Sequence, residues 1–221
     1  MAELVWDELD ERFFERGVSN GVLYVPAAGV YTTGVVWNGL TTVTSSPSGA
    51  EPNKQYADNI NYVTLMSAEE FSGTIECFAF PLEFLPSLGI TKTVNGMQVA
   101  QQGRRPFGFS WQTRKGNALD ENLGFVVNLA YGLQASPSEQ ADATKNDSPE
   151  LKGFSFAFSS TPVNVTGYEP TGIIRVDSTD PDVTPEGLEA LLDVLYGRGA
   201  GGSARLPLPD EVDTLLGTVG P

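Results

Sequence analysis

Histidine is absent from the 221 residues, which removes the commonest neutral-pH acid–base group and the commonest metal ligand. The single cysteine, Cys77, lies inside the apolar run 74–80 and reads as a buried thiol. One cysteine makes neither an internal disulfide nor a zinc site. Without histidine, a nucleophile would have to be activated by lysine or a carboxylate, and no arrangement of these stands out. Glu69 and Glu70 are adjacent acids. Neighbours on a strand point to opposite faces, whereas glycoside hydrolysis needs two carboxylates flanking a cleft. Asp177, Asp180 and Asp182 lack the EF-hand spacing and its closing glutamate, so they read as a solvated acidic loop before a helix. Gly197, Gly199 and Gly202 satisfy G-x-G-x-x-G, but a helical pattern precedes them and a Pro-broken segment follows, the reverse of a dinucleotide site. These residues imply no catalytic site, no cofactor and no metal.

Binding chemistry is equally sparse. Trp6, Trp37 and Trp111 could stack on sugars, but indole is apolar apart from one donor and fits buried or interface anchors better. Arg104, Arg105, Arg114 and Lys115 form the one basic cluster. Against 28 acidic residues and 13 basic ones, for a net charge of −15, they suit ion pairs across subunits better than phosphate contacts. That charge opposes tight binding of nucleic acid or anionic lipid. The opening MAELVWDELDERFFERG is acidic and does not resemble a secretion signal, and the sequon at Asn164 is therefore read as a chance match. No apolar run approaches the roughly 20 residues needed to cross a bilayer.

The elements around these residues are mostly strands. Twenty-four glycines and 15 prolines imply many turns. Alternating or β-prone runs fall at 21–25, 34–37, 40–44, 60–66, 72–80, 107–112, 124–133, 154–159 and 172–177. Asn38-Gly39 between two such runs predicts a tight hairpin, and 45–58 a polar loop. Residues 81–103, with Asn95-Gly96 inside, predict either a small extra hairpin or an extended loop. One helix is expected near 185–196. Thr184 caps it, Pro185 starts it, Leu188, Leu191, Leu192 and Leu195 form its stripe, and Gly197 ends it. The organisation expected is an N-terminal arm over 1–24 leading into the first strand, a β domain over 25–197, and a linker with a C-terminal arm over 198–221. Both arms, with the loops 45–58 and 88–103, are candidate bridges between copies. The interface candidates are Trp6, Phe13, Phe14, Tyr56, Arg104, Arg105, Leu206, Leu208, Val212 and Leu215.

An ordered set of short matches covers nearly the whole chain. It begins with VWNGL followed by T-x-V-T-x-S-P-S-G-A-E (36–51), then Tyr56-Ala57-Asp58-Asn59, Ser67 to Phe71, and Gly73-Thr74-Ile75-Glu76. It continues with Gln101-Gln102, R-x-F-G-F (105–109), Ala135-Ser136-Pro137-Ser138-Glu139, Asn146-Asp147-Ser148-Pro149-Glu150, Thr161-Pro162-Val163 and LPLPDEV. In these the chain resembles the major tail tube proteins of long, flexible-tailed bacteriophages. The resemblance implies a mainly β, β-sandwich or barrel-like tail tube fold with one flanking α-helix and extended terminal arms. It implies a structural virion protein and not an enzyme. Six copies would form a ring, and stacked rings a hollow tail tube, assembled in the host cytoplasm. Implied partners are other copies of the chain, the tape-measure protein in the lumen, and the tail-tip and tail-terminator proteins at the ends. DNA would pass through without specific binding, past a bore lined by the acidic excess, and no membrane is involved. The alternative reading is a carbohydrate-binding β-sandwich or adhesin.

Overall fold

The computed structural model describes residues 6–49, 51–67, 69–142, 144, 151–199 and 202–217. Expectations that fall on 1–5, Ala50, Ala68, 146–150, 200–201 or 218–221 lie outside the described residues. The strands of the first third are β1 (Phe14–Ala27), β2 (Val30–Trp37), β3 (Leu40–Ser45), β4 (Ser48–Gly49), β5 (Pro52–Ala57), β6 (Ile60–Met66), β7 (Glu69–Glu70) and β8 (Ser72–Cys77). A 3-10 helix, Leu82–Leu88, precedes β9 (Thr91–Lys92) and β10 (Gln98–Val99). Then come β11 (Phe107–Gly116), β12 (Gly124–Ala135), β13 (Phe154–Ser160), β14 (Val163–Val165), β15 (Tyr168–Thr171) and β16 (Ile173–Asp177). Helices α1 (Pro185–Tyr196) and α2 (Pro209–Leu216) close the chain.

One antiparallel sheet runs β2-β1-β11-β12-β13-β8-β3, with β16 also paired to β12. The fork at β12 turns this sheet into two layers. Residues 126–130 pair with β16, and residues 133–135 pair with β13. Between them Gly132 adopts φ +59°, and the register against β11 slips between Phe107 and Phe109. This bulge inverts the side-chain alternation. Val127, Leu129 and Tyr131 face the helices, whereas Ala130, Leu133 and Ala135 face the sandwich interior. A Cβ at position 132 would lie 2.2 Å from the Thr161 carbonyl oxygen, so only glycine fits.

The alternation of β11 sends Phe107, Phe109 and Trp111 into the interior. They meet Trp37, Ile75, Cys77, Phe156 and Phe158 there. Phe84, carried by the 3-10 helix, plugs this space, 4.6 Å from the Trp37 ring and 5.1 Å from Phe107 between centroids. Each phenyl ring buried so completely contributes about 1.5–3 kcal/mol. On the other sheet face Val22, Tyr24, Leu129, Tyr131 and Val176 pack under Leu191, Leu195, Leu206 and Val212. The molecule is thus mainly β, a sandwich with helices laid on its outer side.

The expected helix forms over the expected residues. Thr184 Oγ1 accepts the Gly187 N–H at 3.1 Å, and Gly197 ends the helix at φ +65°. Within 81–103 the small hairpin is present, as β9 and β10 around Asn95-Gly96. Three expectations are corrected. Asn38-Gly39 does not close a hairpin: β2 pairs with β1 and β3 with β8, so the dipeptide is a corner between the two ends of the sheet. Only Gly39 has positive φ there, at +79°, while the tight turn needs it at both positions. A second helix, α2, joins the one expected. The C-terminal segment, finally, docks on its own chain over its described part instead of bridging to another copy through Leu206 and Val212. Leu206 and Val212 are buried in the subunit's own core, and Gly34 donates its N–H to the Ala204 carbonyl at 2.7 Å. The leucine pattern of 206–216 finds its partners on α1 and β2, within the same chain.

Candidate functional site

Residues 45–49, 51–67 and 69–72 form a long antiparallel arm. The β3–β8 pair continues outward through Ser46 and Ser72, whose backbones bond at 2.8 Å, into β4–β7 and then β5–β6. The arm turns at Asp58 and Asn59, with φ +51° and +62°. Positive φ at both turn positions is the type I′ geometry that matches strand twist, and Asp and Asn tolerate it better than other residues with a Cβ. Ala57 and Ile60 pair directly beside the turn. The polar loop expected over 45–58 is therefore the outgoing half of this ribbon.

Every residue of β5 and β6 is exposed. Among the described residues neither strand pairs with any but the other, so both outer edges present unpaired backbone groups. The register sorts the side chains into two faces. Lys54, Tyr56 and Met66 share one, and Ile60, Val63 and Leu65 share the other, a register shift after Gln55 leaving Tyr62 unpaired between them. Tyr62 is 73% exposed and Leu65 56%. A two-stranded ribbon has no core of its own and is at best marginally stable alone. Apolar groups on both faces mean that each face gains by burial against something else.

A second exposed apolar group lies at the other end of β12. Phe14 pairs with Gly116 beside the β11–β12 turn, whereas the arm's base, Ser72, reaches β12 through Ser159 and Gln134. Trp6, Phe13 and Leu119 are exposed at this end. Lys115 sits over the Phe13 ring at 5.2 Å, and Asn117 Nδ2 donates to the Asp10 carbonyl at 3.0 Å. Lys115 also pairs with Asp177. Burial alone would raise the Asp177 pKa, but bonds from Lys115 and Thr179 outweigh it and hold the carboxyl below its usual range.

The predicted interface residues do not converge on one surface. Trp6, Phe13, Phe14 and Tyr56 are exposed, the first three at one pole and Tyr56 on the ribbon. Arg104 is exposed, with its Nη1 donating to the Ala135 carbonyl of the same chain at 2.5 Å. Arg105 is exposed beside the 3-10 helix, its backbone N–H bonded to the Pro86 carbonyl. Leu208 is exposed and Leu215 is half-buried against the helix cluster. Leu206 and Val212, being interior, are not available to an interface. Sequence reasoning missed Lys54, Ile60, Tyr62, Val63, Leu65 and Met66. The available signal was Asp58-Asn59 midway between segments of similar length.

Among the described residues no group of three or more Cys, Asp or Glu could hold a metal ion. Burial pushes the Cys77 thiol up and leaves it inert. Burial likewise raises the Tyr24 and Tyr131 hydroxyls, which act as structural pins, bonded to the Leu195 and Pro207 carbonyls at 3.0 Å. Trp37 and Trp111 are buried, so neither can stack on a sugar. No protein-family model matches the chain, and no curated protein matches it.

Proposed function

We propose that this chain is a structural subunit that assembles with copies of itself into stacked rings, the tail tube of a long, flexible-tailed bacteriophage. The observation that carries the reading is the ribbon, apolar on both faces and, among the described residues, open at both edges and uncovered by the rest of its own chain. Open edges are a liability in a monomer and an asset when a neighbour completes them. A ribbon that leaves one end of β12 to meet a different surface of the next copy makes a head-to-tail contact, which closes into rings or runs on as a filament. The sequence resemblance supplies the rest: six copies per ring, the tape-measure protein filling the lumen, tip and terminator proteins at the ends, and DNA passing later. The chain then works in the virion tail and performs no reaction. The net charge of −15 suits a bore that repels DNA and holds it in no fixed register. The carbohydrate-binding alternative is left with Trp6 as its one exposed indole.

Electron microscopy of the purified chain, with and without a tail tip as nucleus, tests the proposal. Six-fold rings or tubes are expected. A chain that stays monomeric beside the tip and binds glycans contradicts it.

A further inference from the structure

We infer that the Lys54 face of the ribbon seats in a groove beside α2 on the next copy, an inference that rests on the self-assembly reading and names the surface it uses. The groove, about 480 Å3 and open to solvent, lies between α2, β16 and the β14–β15 hairpin. Its apolar walls are Val165, Tyr168, Ile174 and Leu216, over a floor of buried Val176 and Val212.

Charge, shape and backbone all select the ribbon as occupant. Asp210, Asp213 and Arg175 also line the groove. Asp210 is committed to Thr166, whose N–H and hydroxyl both donate to it at 2.8 Å. Arg175 donates twice to the Glu15 carboxylate, at 2.9 and 2.8 Å. Among the described residues Asp213 has no ion-pair partner, and neither has Lys54. Lys54 and Asp58 are the sole charges of residues 52–66, so the ribbon is neutral in a chain of charge −15. A neutral, apolar projection can approach an acidic copy where most of its surface is repelled. Lys54 shares its face with Tyr56 and Met66, which match the groove's lining. Among the described residues β16 pairs only with β12, so its other edge can take an added strand from either open edge of the ribbon. The ribbon springs from the β3–β8 layer and the groove lies on the β16–helix side, so the two meet between copies. The exposed Trp6–Phe13–Leu119 pole is a weaker seat: β1 there is already paired to β11 and offers no open edge.

Cysteine pairing tests the seat directly, because Cys77 is 1% exposed and stays silent. Tyr56→Cys chains mixed with Tyr168→Cys chains under assembly conditions are expected to give disulfide-linked dimers, at least roughly tenfold above mixtures of Tyr56→Cys with Leu119→Cys. Lys54→Glu is expected to weaken assembly by about tenfold, and Asp213→Lys on the same chain to restore it. If copies sediment as assemblies but position 56 links to position 119, or to neither, or the charge reversal is not rescued, the groove is not the seat and the assembly reading stands. A chain that sediments as a monomer at every concentration overturns both.

Discussion

Gly132 sets the point at which β12 changes partners. Its φ of +59° makes the bulge that hands β12 from β16 to β13, and the Thr161 carbonyl leaves no room for a side chain. Gly132→Ala is expected to destabilise the subunit by roughly 3 kcal/mol, combining backbone strain with overpacking. A denaturant midpoint unchanged from the parent would contradict that role. Glu211 gives a second test at this scale. Hydrogen bonds from Arg205 hold its carboxyl below the usual range against a smaller opposing effect of burial. A depressed folded pKa adds stability above the ordinary carboxylate value of about 4, and that stability is lost as pH falls through the folded value. Glu211→Gln is therefore expected to lower the melting temperature at neutral pH and to match the parent at pH 2. A constant gap across the acid range would assign its effect to packing instead.

At the scale of elements, the ribbon and the C-terminal segment should behave oppositely. Excising residues 53–65 and closing Pro52 to Met66 with a short turn removes only exposed residues, so the melting temperature should hold. Leu206→Ala, by contrast, opens a cavity under α1 and should cost about 3 kcal/mol. If the excision melts the fold while Leu206→Ala is silent, the two segments have been assigned the wrong roles. Both assignments bear on what the sequence could disclose. Helix α1 was legible because its stripe, its Thr184 cap and its Gly197 stop are local signals. So was β13, where Phe154, Phe156 and Phe158 alternate with small residues. Asn38-Gly39 misled because the dipeptide reports only that the chain turns. Where the strands go next is settled by long-range contacts, such as the bond from the Phe78 N–H to the Gly39 carbonyl. The return strand, 60–66, was legible, but the outgoing half of the ribbon escaped notice because the turn is Asp-Asn, without glycine, and that strand carries Pro52, Asn53 and Lys54. These are poor strand formers, held extended by pairing with β6. The terminal leucines read as an arm because their partners, Tyr31 on β2 and Leu191 and Leu195 on α1, are not adjacent in sequence.

At the scale of the whole molecule, the chain divides labour between an interior that is complete and an exterior that is not. Aromatic packing around Phe84 and Trp37 satisfies the sandwich, and the helices cover its outer face. The apolar ribbon and the opposite pole remain uncovered. The acidic surplus keeps such subunits apart in dilute buffer, and salt near 0.15 M, where the Debye length is about 8 Å, screens it. The most direct measurement of the central claim is sedimentation of the intact chain beside the ribbon-excised chain, over rising concentration at that ionic strength. The intact chain is predicted to pass into rings and longer assemblies while the excised chain stays a folded monomer. An intact chain that never leaves the monomer, or an excised chain that assembles equally well, would contradict the account.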